Sequence, residues 1–220
     1  MDYTPYLTLL QEKGRDLFSP QFRIYPTDHH LLQKLIAYFL KNEEQAAHFQ
    51  INLLKGILLT GPIGTGKTTL MTLLSFLSPK SALSHPPSLS PHRSFALKSC
   101  RDVTFEFLKE GHQVIQKYSN QSFASTYPVD YDLKKPIIYC FDDLGTESGA
   151  LKHFGNTCNV IGEILLSRYD HFLARKMLTH ATTNLSASEL EACYGNRVRS
   201  RMREMFNLLS FDKGAEDKRK

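Results

Sequence analysis

The stretch GILLTGPIGTGKTTLMTLL, residues 56–74, constrains this chain more than any other part of it. It reads without a break as a buried strand, a glycine-rich turn and an apolar helix. Gly61, Pro62, Ile63, Gly64, Thr65, Gly66, Lys67 and Thr68 fit the pattern GxxxxGK[ST], and Thr69 continues it into the helix. Such glycines let backbone N–H groups turn inward around phosphate oxygens, and the helix that starts there aims its positive dipole end at them. Lys67 is then expected to reach the β- and γ-phosphates of a nucleoside triphosphate, with the Thr68 hydroxyl on Mg²⁺. A chance glycine-rich turn has no need of an apolar strand before it and an apolar helix after it. This one has both.

The rest of the chain repeats that alternation. SFALKSC reads as a second strand, PIIYCFDDLG as a third, KMLTHATTN as a fourth and NLLSF as a short fifth. Between them lie VTFEFLKEGHQVIQKY, helical with a possible break at Gly111, the helical NVIGEILLSRYDHFL, and SELEACYGNRVRSRMREMF, which holds one or two helices. Upstream, one short helix fits around residues 6–13. A longer amphipathic helix follows from Thr27 or Asp28, carrying Leu31, Leu32, Leu35, Ile36, Phe39 and Leu40. Strands alternating with helices predict an α/β fold with a parallel sheet. Ligands of such sheets sit beyond the carboxyl ends of the strands, where every motif discussed here falls.

A phosphate loop needs acids from another strand end. The third strand supplies them, ending in Asp142 and Asp143. Asp142 is expected to hold Mg²⁺, through water or an outer contact, and Asp143 to orient or polarise an attacking water. Glu147 competes for the water. Asn184, closing the fourth strand, can hydrogen-bond both a γ-phosphate and that water, or can merely cap the next helix.

Composition narrows the class. With 220 residues, 41% of them hydrophobic and 22% charged, the chain can bury a core without staples. The four cysteines are scattered, which suits free thiols in a reducing compartment, and the histidines show no zinc spacing. No basic leader followed by an apolar core is present, and no apolar run is long enough for a membrane span, so a cytoplasmic protein is expected. The formal charge of +5 suits a polyanionic partner. Residues 103–135 interleave Lys109, His112, Lys117, Lys134 and Lys135 with Phe105, Phe107, Tyr118, Phe123, Tyr127 and Tyr131. That pattern suits single-stranded DNA, although aromatics at such positions also pack a helix onto a sheet.

Taken together, GILLTGPIGTGKT, IIYCFDDLGTE, ATTNLS and YGNRVRSRMREMF resemble the AAA+ ATPases, most closely the DnaC/IstB-like branch of helicase loaders and transposition ATPases. The resemblance runs from about Lys55 to the last residue. It implies a P-loop NTPase of AAA+ type, with a five-stranded parallel sheet flanked by helices and a reduced or absent C-terminal lid. Residues 1–50 are then an N-terminal helical segment, a possible partner-docking arm by position, and residues 51–220 the ATPase core. The resemblance also implies an arginine finger lent to a neighbouring subunit, which falls on Arg201 with Arg197 as its secondary partner. On a helix Arg197 and Arg201 share a face, as do Arg199 and Arg203, and the bland alternative is that they snorkel over the core edge. A cis-acting sensor cation near the end falls on Arg219, with Lys218 as its rival. Many AAA+ proteins carry Glu where Asp143 stands, which predicts slow turnover.

The implied function is an ATPase, with ATP and Mg²⁺ as cofactors, that assembles as a homo-oligomer on single-stranded or duplex DNA. There it would load or position a replicative helicase. The alternatives are a helper of a transposase and a nucleotide-gated adaptor with little hydrolysis. A small-molecule kinase would need a basic lid and an acceptor pocket. The acids and the asparagine at successive strand ends favour water as the acceptor instead.

Overall fold

The computed structural model describes residues 1–83, 86–121, 136–147, 151–153, 156–212 and 214–218. In chain order its helices are α1 (Thr4–Leu17), α2 (His29–Phe39), α3 (Glu43–His48), α4 (Lys67–Leu74), α5 (Cys100–Glu110), α6 (Gln113–Tyr118), α7 (Val160–Arg175) and α8 (Ala187–Met205). The strands are β1 (Gly56–Thr60), β2 (Ala96–Ser99), β3 (Tyr139–Leu144), β4 (Leu151–His153), β5 (Asn156–Cys158), β6 (Thr179–Thr183) and β7 (Phe206–Ser210). Five of the strands form a parallel sheet in the order β2-β3-β6-β1-β7, flanked by helices, which is the α/β arrangement the alternation predicts. The antiparallel pair β4–β5 stands apart from that sheet.

Two compact units divide these elements, one of Met1–Leu53, Gly61–Phe95 and Leu209–Lys220, the other of Leu54–Thr60 and Ala96–Leu208. The second holds the sheet's central strands. β1 and β6 are buried almost throughout, as strands covered on both faces must be. Their core joins Val103 and Phe107 of α5, Val114 and Tyr118 of α6, Phe141 of β3, Ile161 and Ile164 of α7, and Val198 and Met202 of α8. Phe107 and Tyr118 are fully buried, so neither can stack on a nucleic-acid base; that part of the aromatic pattern is core. Phe105 and Leu108, on the same helix, are about half exposed, with Arg101 over the Phe105 ring. Phe123, Tyr127, Tyr131, Lys134 and Lys135 lie outside the described residues.

In the first unit α1 buries Tyr6, Leu10 and Gly14. The segment after it folds back so closely that a Cβ on Gly14 would meet the Phe22 ring at 2.1 Å. Gln11 Oε1 accepts from the Ile24 amide, 3.1 Å, and fixes that return. The periodicity predicts one helix from Asp28 onward. Two form, because Lys41 takes the left-handed conformation (φ 54°) and the Asn42 amide reaches the Ala37 carbonyl at 3.0 Å. That pair of features closes α2, and the Asn42 side chain, accepting from the Gln45 amide at 2.9 Å, opens α3.

Candidate nucleotide site

In the first unit the chain leaves β1 at Gly61 and turns into α4 through two left-handed glycines, Gly64 (φ 83°) and Gly66 (φ 90°). Any other residue would be strained there, and Gly66 delivers the chain directly to the first turn of α4. The loop is braced from within. Thr65 Oγ1 donates to the Pro62 carbonyl, and Lys67 Nζ donates to the carbonyls of Gly61 and Pro62, each at 2.9 Å. Lys67 is buried, while Thr68 is exposed at the start of the helix.

The C-terminal residues lie on the same loop. The Lys218 amide donates to the Gly64 carbonyl at 3.0 Å, and its ammonium donates to the Thr65 carbonyl at 2.9 Å and pairs with Asp28. Lys218 also stands over the rings of Tyr25 and Phe211, 5.2 and 4.8 Å from their centres. A Cβ on Gly64 would strike the Asp217 carboxylate. Beside the loop is a cavity of about 580 Å³, walled by Phe22, Tyr25, Leu32, Thr69, Leu70 and Phe211. Its apolar and aromatic walls, with a few polar groups at the phosphate loop, have the make-up of a small-ligand pocket.

In the second unit β1, β3 and β6 run parallel, with Thr60 and Leu144 both level with Thr183. The carboxyl ends of all three strands therefore share one edge of the sheet. Asp142, Asp143 and Asn184 stand at that edge, and the phosphate loop continues covalently from Thr60. The Thr182 hydroxyl donates to Asp142 Oδ1 (2.7 Å) and accepts from the Asp143 amide (2.9 Å). Asp143 itself adopts φ 57°, a conformation a non-glycine residue keeps only where its surroundings impose it. Asn184 is not the cap of the next helix: Ser186 fills that role with Glu189 in a capping box. The Asn184 Oδ1 is buried with no hydrogen-bond partner among the described residues. A buried acceptor of this kind needs a partner.

No protein-family model matches the sequence, and no curated protein matches it. The structure does have counterparts. It superposes on the crystal structure of the DnaC helicase loader with a TM-score of 0.50 at 18% identity, covering 86% of this chain and 92% of that one. A DNA replication initiation factor gives the same TM-score at 15% identity, covering 88% of this chain and 48% of that one, so the chain spans about half its length. The chain has the α/β P-loop fold of these structures.

In the same fold, the basic helix α8 is two helices joined at Gly195, whose φ of 81° and ψ of 160° interrupt the helical geometry. Arg201 lies beyond the break with its guanidinium 4.6 Å from the Tyr169 ring centre, and the Tyr169 hydroxyl donates to Glu204 at 2.7 Å. Arg197 is exposed and Arg199 buried. Arg219 lies outside the described residues, whereas its rival Lys218 is seated on the phosphate loop.

Sequence reasoning missed four residues that brace these motifs within their own units. Thr182 was hidden in a β-branched run that strand propensity alone explains. Asp28 has the look of a helix cap, yet its side chain caps nothing and pairs with Lys218. Asp217 sits in a charged tail that carries no periodicity. Tyr194, the fourth, accepts a hydrogen bond from the Gly145 amide at 2.8 Å and donates to Glu147, and only Glu147 drew notice in the sequence.

Proposed function

We propose that this protein binds ATP with Mg²⁺, hydrolyses it, and uses the cycle to load or position a replicative helicase or similar machine on DNA. The observation that carries this reading is the braced phosphate loop, with its two left-handed glycines and the buried Lys67; the two acids at the end of β3 and the unpartnered Asn184 Oδ1 at the end of β6 support it. The donors proposed for the metal are an exposed hydroxyl at the start of α4 and a carboxylate held by Thr182, both hard oxygen ligands of the kind Mg²⁺ takes. Mg²⁺ on Thr68 and Asp142 would neutralise charge on the phosphates. Gly61, Pro62, Ile63, Gly64, Thr65, Gly66 and Thr69 supply the cradle, and Lys67 the fixed cation within it. Asp143 orients the attacking water and Asn184 senses the terminal phosphate. The cis cation comes from the tail, Lys218 or Arg219. Arg201 is lent to the neighbouring subunit, which makes hydrolysis depend on assembly.

The half-exposed Phe105 and Leu108 beside Arg101 and Lys109 support contact with DNA through α5. Residues 1–50 would dock the partner and residues 51–220 form the ATPase core. Among the described residues no helix is long and apolar enough to cross a membrane.

The test is ATP binding and phosphate release by the full chain, with and without single-stranded DNA, for wild type, Lys67→Ala and Arg201→Ala. Loss of binding in the first variant, and loss of turnover with retained binding in the second, support the reading. Mixing Arg201→Ala with Asp143→Asn protomers should recover turnover, because each supplies what the other lacks. Tight binding with no phosphate release under any condition would favour the nucleotide-gated adaptor instead.

A further inference from the structure

The turn that follows the two acids is fastened to α8, and the fastening uses an acid for which hydrolysis has no second need. Both carboxylate oxygens of Glu147 are engaged: Oε1 accepts from the Tyr194 hydroxyl, and Oε2 from the Gly145 amide at 2.9 Å. The same amide also donates to the Tyr194 oxygen at 2.8 Å, which closes a three-membered ring of polar groups. Tyr194 is only 8% exposed, so its hydroxyl has little access to water as a replacement partner. A Cβ on Gly145 (φ 88°) would meet the Leu185 side chain at 2.2 Å, so the turn lies close against the segment that leads into α8. A second bond, from Asn159 Nδ2 to the Cys193 carbonyl at 2.8 Å, pins α8 one residue before Tyr194.

Tyr194 is also the last residue before the break at Gly195. A Cβ on Gly195 would meet nothing within 4 Å, so glycine is required there for its backbone angles and not for space. The pinned point is thus the junction from which the arginine-bearing half of α8 departs. On the other side of the turn, the Asp143 amide is held by Thr182.

We infer that Glu147 and Tyr194 are a positioning pair that sets the orientation of Asp143 and the presentation of Arg201 together, leaving Asp143 to serve the water. This rests on the hydrolytic reading above. A base that took a proton through Glu147 would first have to break the ring with Tyr194 and Gly145. A positioning carboxylate keeps it.

Steady-state hydrolysis and binding of a fluorescent ATP analogue test this with full-length wild type, Asp143→Asn, Glu147→Gln, Tyr194→Phe and the double variant E147Q/Y194F. Asp143→Asn is expected to lose turnover by about 100-fold or more while still binding nucleotide. Glu147→Gln and Tyr194→Phe should each lower kcat roughly tenfold with KM unchanged, and the double variant should be no worse than either. A pair with a merely structural role would lower the melting temperature and leave kcat per folded molecule alone. Glu147→Gln falling as far as Asp143→Asn while Tyr194→Phe stays within about twofold of wild type would overturn the inference and make Glu147 the base. Effects that multiply in the double variant would overturn it too. Wild type that fails to bind ATP, or binds without turnover, overturns the hydrolytic reading and this inference with it. Wild type that turns over, with both single variants unimpaired, overturns this inference alone.

Discussion

Arg168 makes the sharpest prediction about stability. Its guanidinium is fully buried and faces no carboxylate among its hydrogen-bond partners. Nε donates to Thr179 Oγ1 at 2.7 Å, Nη1 to the Tyr118 carbonyl at 2.9 Å, and Nη2 to the carbonyls of Ile137 and Leu178 at 3.1 and 2.9 Å. The rings of Tyr139 and Phe141 lie 5.3 and 5.9 Å away. One cation therefore ties the end of α6 to the chain entering β3 and to the strand beside it. Burial pulls its pKa from the usual 12.5 down to about 10, so the charged form costs about 3 kcal/mol, yet it stays charged at neutral pH. Four bonds from a charged donor contribute roughly 6–12 kcal/mol between them, which more than offsets that cost. Arg168→Met keeps the volume and removes every donor, depriving one buried and two part-buried carbonyls of this partner. A loss of about 3–5 kcal/mol follows, a large part of the stability of a chain this size. With a urea slope of about 2 kcal/mol/M, the unfolding midpoint should fall by about 2 M. A midpoint within about 0.5 M of wild type would mean that the clasp is worth no more than an ordinary surface contact and would refute the reasoning.

His180 should give the protein an acid limit. Its ring is buried, Nδ1 accepts from the Ile57 amide at 3.0 Å, and burial followed by the charge of Arg168 pulls its pKa from 6.5 to about 3. The unfolded chain then binds the proton more readily, so this contribution is whole above pH 6.5 and is lost as pH falls toward 3, by several kcal/mol at most. Urea midpoints between pH 7 and 4.5 should fall more steeply for wild type than for His180→Asn; parallel slopes would exclude the ring as the cause. Thr182→Val should cost about 1–3 kcal/mol in thermal unfolding by orphaning the Asp143 amide, and should slow ATP turnover more than it weakens ATP binding; an unchanged turnover number would separate the hydroxyl from the chemistry. Lys218→Ala should free Asp28 and release the contact with the phosphate loop, changing ATP affinity severalfold in equilibrium binding; an affinity equal to wild type would deny Lys218 a part in the site.

The phosphate loop was legible in the sequence because its requirements are local: a strand, glycines at left-handed positions, then Lys67 and Thr68 in the first helical turn. The strand β1 and the run leading into β3 were legible for the same reason, each being apolar as a doubly covered sheet requires, whereas β6, THATT, was legible from its β-branched residues. Spacing could not reveal partners brought together by the fold. Asp28 and Lys218 are 190 residues apart, and nothing at either position announces the other. Arg168 sits in an apolar helix pattern, LLSRYDHFL, where an arginine ordinarily lies at the edge with its head in water. Its burial depends on three carbonyls from separate segments. The antiparallel pair β4–β5 went unread because three-residue strands carry too few alternations to register. The break between α2 and α3 was unread because the cue is Lys41, and a lysine in a left-handed cap gives no signal of the kind a glycine gives.

Two adjacent threonines on β6 explain how acids can be presented at the end of β3 at all. The pairing of β3 with β6 is regular from Tyr139 to Phe141 and then shifts before Leu144, so Asp142 and Asp143 fall where the ladder is broken. A break inside a buried sheet strands main-chain groups, and each one left unpaired costs about 1–3 kcal/mol. Here side chains take over. Thr182 Oγ1 accepts from the Asp143 amide, and Thr183 Oγ1 donates to the Leu144 carbonyl at 2.9 Å while accepting from the Leu185 amide at 3.1 Å. Successive residues of a strand face opposite ways, so one hydroxyl serves each side of the irregular stretch. Valine would satisfy the strand as well as threonine does and would leave these groups without partners. The pair TT ahead of Asn184 is therefore better understood as the chemistry that lets β3 turn its carboxylates to the sheet edge than as β propensity.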